Sequence, residues 1–301
     1  MRLSTALTDA LNEYRIFLNE AGRAPQTIEG YIRDIRLVLK IARALFGSES
    51  VSEIAPQQLE HILNSDEFMS VDSGRRSKSS VNRTLSSIRG FFRWASEHCL
   101  ADKDATRSLR SERVRRSKPT VLTADEVRKL LDTTLQEPGM LALRDHMIIL
   151  TYVRTGIRVN ELVELDIEDM DLPGRRLIVE GSKDDSKRVL FLSNKLVESY
   201  EQYLWQMWLR YRACEGALFL SNRRKRITSR QVAIRLKHWC REAGIEEISP
   251  LVLRHTFASL LFERTHDLGL VQKALGHKDI RTTEIYSYVE EEKLKRAIES
   301  L

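Results

Sequence analysis

Residues 275–289 read LGHKDIRTTEIYSYV. The stretch holds one His, His277, and nine residues later Tyr286, set among apolar and hydroxyl neighbours. Two readings compete for Tyr286: an amphipathic side chain that packs within its own helix, or a nucleophile beside a proton-donating imidazole. The preceding LVQKAL runs into Gly276, suited to the left-handed stop of a helix, and Thr282 offers an N-cap for a helix that places Tyr286 one turn inside. The pattern predicts helix, a break carrying His277, then helix again.

Immediately upstream, SPLVLRHTFASLLFERT (249–265) has Leu253, Phe257, Leu260 and Leu261 on one helical face. Leu251, Arg254, His255 and Ala258 share another, so Arg254 is expected at the edge of an otherwise buried helix. Burying the end of an arginine is costly unless an anion meets it. Further back, TGIRVNELVEL (155–165) sets Arg158 just after a helix-ending Gly156, with Glu161 three residues on and on the same face. A carboxylate there can orient the guanidinium toward a ligand, and a purely local ion pair explains the spacing as well. Between these motifs the period changes. RRLIVEG (175–181) and KRVLFLS (187–193) are β-rich runs separated by the polar SKDDS, an antiparallel hairpin with Lys183 in its loop.

The segment ahead of these is helical from Val121. Thr123 and Glu126 make a capping box before VRKLLDTT, and LALRDHMIILTYVRTG closes on Gly156. KLVESYEQYLWQMWLRY (195–211) resumes helix after the hairpin. The first hundred residues also read as helices: Leu7, Leu11, Tyr14 and Leu18 form a stripe stopped by Gly22, and Thr27 is the expected N-cap of a helix burying Tyr31, Ile35, Val38 and Leu39. A third helix starts at Pro56. In SSVNRTLSSIRGFFRWASEH (79–98) Val81, Leu85, Ile88 and Phe92 line the apolar side, while Asn82, Ser86, Arg89 and Arg93 repeat on another. Such a face is either solvated or suited to phosphates and base edges in a groove.

The 301 residues suffice for two cores, and the net charge of +6 is concentrated. Residues 71–118 carry 13 Lys/Arg against 5 Asp/Glu, leaving the rest about neutral. RSLRSERVRRSKPT (107–120) is basic, poor in core residues and ends near Pro119, as a linker tracking a DNA backbone would. No apolar run approaches the ~18 residues a membrane span requires. The amphipathic N-terminus leads us to expect no signal peptide and no membrane anchor. Cys99, Cys214 and Cys240 are odd in number and lack metal or disulfide spacing, which fits free thiols in a reducing compartment. His255, His266 and His277 recur every eleven residues, but Gly269 and Gly276 interrupt the register and no HExxH or Cys/His cluster accompanies it, which argues against a metal enzyme.

Taken together, two Arg, a hairpin Lys, a His after Leu-Gly and a Tyr nine residues beyond it resemble the tyrosine recombinase (phage integrase) family. The wording LRHTFASLL and LGHKDIRTTEIYSYV is most similar to its Xer-like members. The resemblance implies a mainly α fold with a small antiparallel sheet in the second domain, forming a two-domain DNA clamp. It comprises a helical core-binding domain (1–106), a basic linker (107–120) and a catalytic domain (121–301) ending in a tail helix. It makes Arg158 and Arg254 phosphate clamps, Lys183 the general acid, His277 a hydrogen-bond donor to phosphate, Tyr286 the nucleophile and Glu161 a supporting carboxylate. Lys78, Asn82, Arg83, Arg89, Arg93, Arg113, Arg115 and Arg116 are the expected DNA contacts. Leu251 departs from the family's usual His in the HxLRH string, and the hairpin loop is one residue longer than the GKGxKxR form, with Lys187 nearby. The implied reaction cuts and rejoins duplex DNA through a 3′-phosphotyrosyl link, without metal, ATP or other cofactor. A dimer would form on each site and a tetramer in synapsis, in the cytoplasm on the nucleoid, for chromosome resolution or a mobile element. A DNA-binding accessory protein with impaired chemistry is the alternative that Leu251 keeps open.

Overall fold

The computed structural model describes residues 3–71, 74–114, 119–180, 187–212 and 215–276. The chain divides into two compact units, Met1–Arg116 and Ser117–Leu301.

The first unit consists of α1 (Thr5–Glu20), α2 (Pro25–Phe46), α3 (Pro56–Asn64), the one-turn α4 (Asp66–Met69), a minimal hairpin of β1 (Ser70–Val71) and β2 (Gly74–Arg75), and α5 (Lys78–Glu97). The expected stripe of α1 is buried at Leu7, Leu11, Tyr14 and Leu18. On α2 the start differs from the sequence reading. Ala24 is the N-cap and Pro25 the first helical residue, so Thr27 lies inside the helix. Proline's fixed φ and missing N–H suit a first turn whose N–H groups have no helical acceptor, which outweighs the capping hydroxyl of Thr27. Helix α2 packs against α1, α3 and α5. From α5, Val81, Leu85, Ile88, Phe91, Phe92 and Trp94 enter the core. Full burial of such a side chain contributes about 1.5–3 kcal/mol. The polar side of α5 is thereby turned outward.

The second unit comprises α6 (Ala124–Gln136), α7 (Met140–Thr155), α8 (Val159–Glu164), β3 (Met170–Asp171), β4 (Arg176–Glu180), β5 (Lys187–Phe191), α9 (Asn194–Tyr211), α10 (Ser229–Glu242), α11 (Pro250–Thr265) and α12 (Leu268–Leu275). The Thr123–Glu126 capping box forms: Glu126 N–H donates to Thr123 Oγ1 at 3.2 Å, and Thr123 N–H donates to the Glu126 carboxylate at 2.8 Å. Helix α7 is the centre, packed on α6, α9 and α11. It is covered on nearly every side, so its apolar residues form a run rather than a stripe. Buried Asp145 on α7 accepts from Arg144 Nε (2.9 Å), Arg235 Nε (2.6 Å) and Trp239 Nε1 (2.9 Å), fastening α10 to α7.

Strands β4 and β5 form the expected antiparallel hairpin, with Val179 opposite Arg188 and Leu177 opposite Leu190. A third strand, β3, adds to the free edge of β4. Its two residues are too few to show a period in sequence. Among the described residues, no helix is long and apolar enough to cross a membrane. The expected helix of Tyr286 and the tail helix lie outside the described residues.

Candidate active site

Helix α7 ends at Gly156, whose φ of 62° is the left-handed conformation of a helix stop. There is no room for more than hydrogen at this position, since an added Cβ would overlap the Phe257 ring. The turn delivers Arg158 to the N-cap of α8, and Glu161 reaches back one turn. Its carboxylate accepts from Arg158 N–H at 2.9 Å and from the Arg158 guanidinium at 2.7 Å. The Glu161 side chain is 2% exposed, while that of Arg158 is 41% exposed. The carboxylate is therefore structural support, and the guanidinium keeps an open side. Burial by itself would raise the Glu161 pKa. The hydrogen bonds from Arg158 and Arg188 outweigh it and hold the carboxyl below its usual range.

Arg254, on α11, is buried, with 6% exposure, which corrects the expectation that it emerges at the helix edge. Its guanidinium donates to the Gly156 carbonyl and, at 2.7 Å, to the Leu275 carbonyl. These are buried carbonyls at the C-terminal ends of α7 and α12, so one side chain ties the ends of two helices and is itself fixed in plane. Helix C-termini carry partial negative charge, which offsets part of the cost of burying the cation. Arg254 also lowers the pKa of the adjacent His255, after burial as the larger cause.

A cleft of about 400 Å³ gathers Arg158, Glu161 and Arg254 with Tyr152, Pro250 and Leu251. Leu251 is 59% exposed in the first turn of α11, an apolar wall where the family usually has an imidazole. Tyr152 is the described tyrosine of the cleft. Burial drives its phenol pKa well up from the ordinary value, and its hydroxyl has no hydrogen-bond partner among the described residues. A buried phenol held neutral is a poor nucleophile. The expected nucleophile Tyr286, with the expected His277 and Lys183, lies outside the described residues. Gly276, the residue before His277, ends α12 with a φ of 63°, the expected helix stop.

One member of the site escaped the sequence reading. Arg188 on β5 donates to the Glu161 carboxylate at 2.7 Å and to the Ala274 carbonyl at 3.2 Å. Lys187, weighed as a neighbour of Lys183, is exposed and pairs with Glu180 at 3.6 Å. The available signal was strand alternation: in KRVLF, Arg188 shares the inward register with Leu190, an unusual position for a cation.

In the first unit, four of the expected DNA contacts already have intramolecular partners. Asn82 exchanges a pair of hydrogen bonds with the Glu112 backbone (2.8 and 2.9 Å), and Lys78 pairs with the Glu112 carboxylate at 2.8 Å. Arg89 donates to Ser111 Oγ at 3.0 Å and to the Leu109 carbonyl at 2.5 Å. Residues 109–112 thus lie along the polar side of α5. Arg83 points elsewhere, to buried Asp34 on α2 at 3.1 Å. Arg93 and Arg113 are exposed, and Arg115 and Arg116 lie outside the described residues.

Two arginines distant in sequence line one cleft of a helical unit with a hairpin, an arrangement suited to holding an anion such as a phosphate, and comparisons with known proteins give the family. Residues 120–293 match the Phage integrase family, and residues 11–98 match the Phage integrase N-terminal SAM-like domain. Tyrosine recombinase XerC of Pseudomonas putida is 31% identical over 287 residues, covering 94% of this chain and 91% of that protein. Among solved structures, XerH site-specific recombinase bound to a palindromic difH substrate in a post-cleavage complex matches with a TM-score of 0.71 at 23% identity. That match covers 91% of this chain and 79% of that one. A lambda integrase tetramer bound to a Holliday junction matches with a TM-score of 0.68 at 23% identity, covering 92% and 78%. The chain belongs to the phage integrase family, the tyrosine-type site-specific DNA recombinases.

Proposed function

We propose that this protein cuts one strand of a specific duplex site at a time, holds the 3′ phosphate on Tyr286, and passes it to the 5′ hydroxyl of a partner strand. What carries this reading is the convergence of Arg158 and Arg254, distant in sequence, on one cleft. A phosphodiester resists attack because its charge repels the nucleophile and its alkoxide leaves poorly. Two permanently charged, forked guanidiniums answer the first difficulty, since they suit non-bridging oxygens that gain charge in the transition state. Lys183, in the hairpin loop, answers the second by protonating the departing 5′ oxygen. His277 donates a hydrogen bond to the phosphate. The Tyr286 phenol, ordinarily near pKa 10, loses its proton as the phosphotyrosyl bond forms, and that bond conserves the energy of the one broken. No step calls on ATP or a metal.

The helical unit is assigned to 1–106, the connection to 107–120 and the catalytic domain to 121–301, a division supported by family matches to 11–98 and 120–293. Lys78, Asn82, Arg83, Arg89, Arg93, Arg113, Arg115 and Arg116 serve the DNA backbone, with residues 109–112 yielding the polar side of α5 to the duplex. Exchange between two duplexes requires protomers on both, and the likeness to a lambda integrase tetramer on a Holliday junction supports two dimers joined in synapsis. The protein acts on the nucleoid in the cytoplasm.

The test is covalent capture. A nicked duplex bearing the target site, incubated with the protein, is expected to give a DNA–protein adduct resistant to denaturation and absent in Tyr286→Phe. Failure of the wild type to form an adduct on any cognate site would end the proposal.

A further inference from the structure

We propose that Arg188 is a positioning residue for strand cleavage: it holds the Glu161 carboxylate in place behind Arg158 and ties the strand carrying it to the last turn of α12. The inference rests on the strand-transfer reading and adds to it a residue that touches no reacting atom.

Glu161 has two carboxylate oxygens and serves three donors. Oε1 takes the Arg158 guanidinium, while Oε2 takes both Arg158 N–H and Arg188 Nη2. A carboxylate shared this way cannot rotate without breaking a bond to one arginine or the other. Its charge is also shared. With Arg188 present, Glu161 divides its charge between two guanidiniums; without it, among the described residues, Glu161 would offset Arg158 alone and leave less positive charge for a phosphate. The second arm of Arg188 reaches the Ala274 carbonyl, two residues before Gly276. A Cβ on Gly276 would lie 3.1 Å from Arg188 Cδ, so the absence of a side chain there lets the arginine pass. Arg188 therefore joins β5, the strand after the Lys183 loop, to both α8 and the helix that leads to His277. Among the described residues, the ionisable groups acting on Glu161 are Arg158, Arg188 and the Tyr152 phenol on α7, with Arg254 of α11 in the same cleft; Glu164, Asp166, Asp169, Glu180 and Arg226 share a second cleft that Glu161 also lines.

Removing Arg188 leaves the buried carboxyl with one cationic partner in place of two, so it takes up a proton at a higher pH and releases Arg158 when it does. The experiment compares wild type, Arg188→Met, Arg188→Lys, Glu161→Gln and the Arg188→Met/Glu161→Gln pair. Single-turnover adduct formation on a nicked site is followed from about pH 5 to about pH 9, with duplex affinity and melting measured alongside. Arg188→Met is expected to bind DNA within about 3-fold of wild type, to cleave about 30- to 100-fold more slowly, and to lose activity on the acid side at a higher pH than wild type. Arg188→Lys, whose ammonium still faces Glu161, is expected to recover about 10-fold of the loss. The double variant should be no more than about 3-fold slower than Glu161→Gln, because Arg188 acts through that carboxylate. Cleavage by Arg188→Met within about 3-fold of wild type would overturn the proposal, as would a defect that multiplies with that of Glu161→Gln. Should Arg188→Met fail to fold, a folded Arg188→Lys decides: partial activity with a raised acid limb supports the role, and complete loss with the acid limb unmoved refutes it. A wild type that forms no Tyr286-dependent adduct refutes the underlying reading instead.

Discussion

Arg254→Ala removes the guanidinium that α11 sends between the ends of α7 and α12. Among the described residues it deletes two charge-assisted hydrogen bonds, to the Gly156 and Leu275 carbonyls. Bonds from a charged donor contribute about 1.5–3 kcal/mol each. The vacated space opens on the cleft of about 400 Å³, so water reaches both carbonyls and returns much of that. A net cost of about 1–3 kcal/mol remains, which for a unit of this size lowers the melting temperature by about 3–10 °C. The catalytic cost is larger. Loss of one preorganised donor to a developing oxyanion slows a reaction about 10²- to 10³-fold, and a fork facing phosphate is worth at least that. Duplex affinity, spread over many phosphate contacts, should fall by less than about 10-fold. The assay is single-turnover adduct formation on a nicked site, with protein saturating and temperature well below the variant's melting point. Arg254→Lys keeps the charge but not the fork and is expected between the two. A folded Arg254→Ala that forms adduct within about 10-fold of the wild-type rate would refute the assignment of this guanidinium to the phosphate.

Leu251→His restores an imidazole at an exposed position of the cleft wall, where it meets no packing penalty; adduct formation is expected to be equal or faster, and slower cleavage in a folded variant would mean the cleft is shaped around leucine. Arg89→Ala with Arg93→Ala should weaken site binding and reduce the steepness of its salt dependence by about one to two counterions, read from affinity against log salt. Arg93 is exposed, whereas Arg89 also holds Leu109 and Ser111, so the single Arg93→Ala variant isolates the electrostatic share. Gly156→Ala combines a left-handed φ with overlap on Phe257 and should cost about 2–4 kcal/mol, seen as a lower melting temperature or urea midpoint. An unchanged melting curve would mean that α7 can end without that turn.

Much of this was legible because short local rules and the tertiary structure agree. The α1 stripe, the Thr123–Glu126 box, the Gly156 and Gly276 stops and the β4–β5 hairpin each follow from patterns a few residues long. Where two local signals competed, as at Pro25 and Thr27, the stronger backbone constraint prevailed. Strand β3, two residues long, exists only because β4 offers it an edge. In the site, Arg158 and Glu161 are neighbours on one turn and could be paired from spacing alone. Arg254 could be singled out but not placed, since its burial depends on carbonyls of α7 and α12 that α11 does not specify. Arg188 was hidden for the same reason: its partners on α8 and α12 lie 27 and 86 residues away, and only the inward register of β5 hinted at it. The polar side of α5 was read correctly as outward, but its engagement by residues 109–112 depends on side-chain-to-backbone bonds that carry no sequence period.

The central claim concerns one covalent bond, and it can be measured directly. After trapping on a nicked site, the adduct is digested with protease and nuclease and the modified peptide is sequenced by mass spectrometry. The account requires a nucleotide joined through its 3′ phosphate to the hydroxyl of Tyr286, with a free 5′ hydroxyl on the released strand. Attachment at Tyr152 or at any other side chain, or a 5′-linked nucleotide, would contradict it.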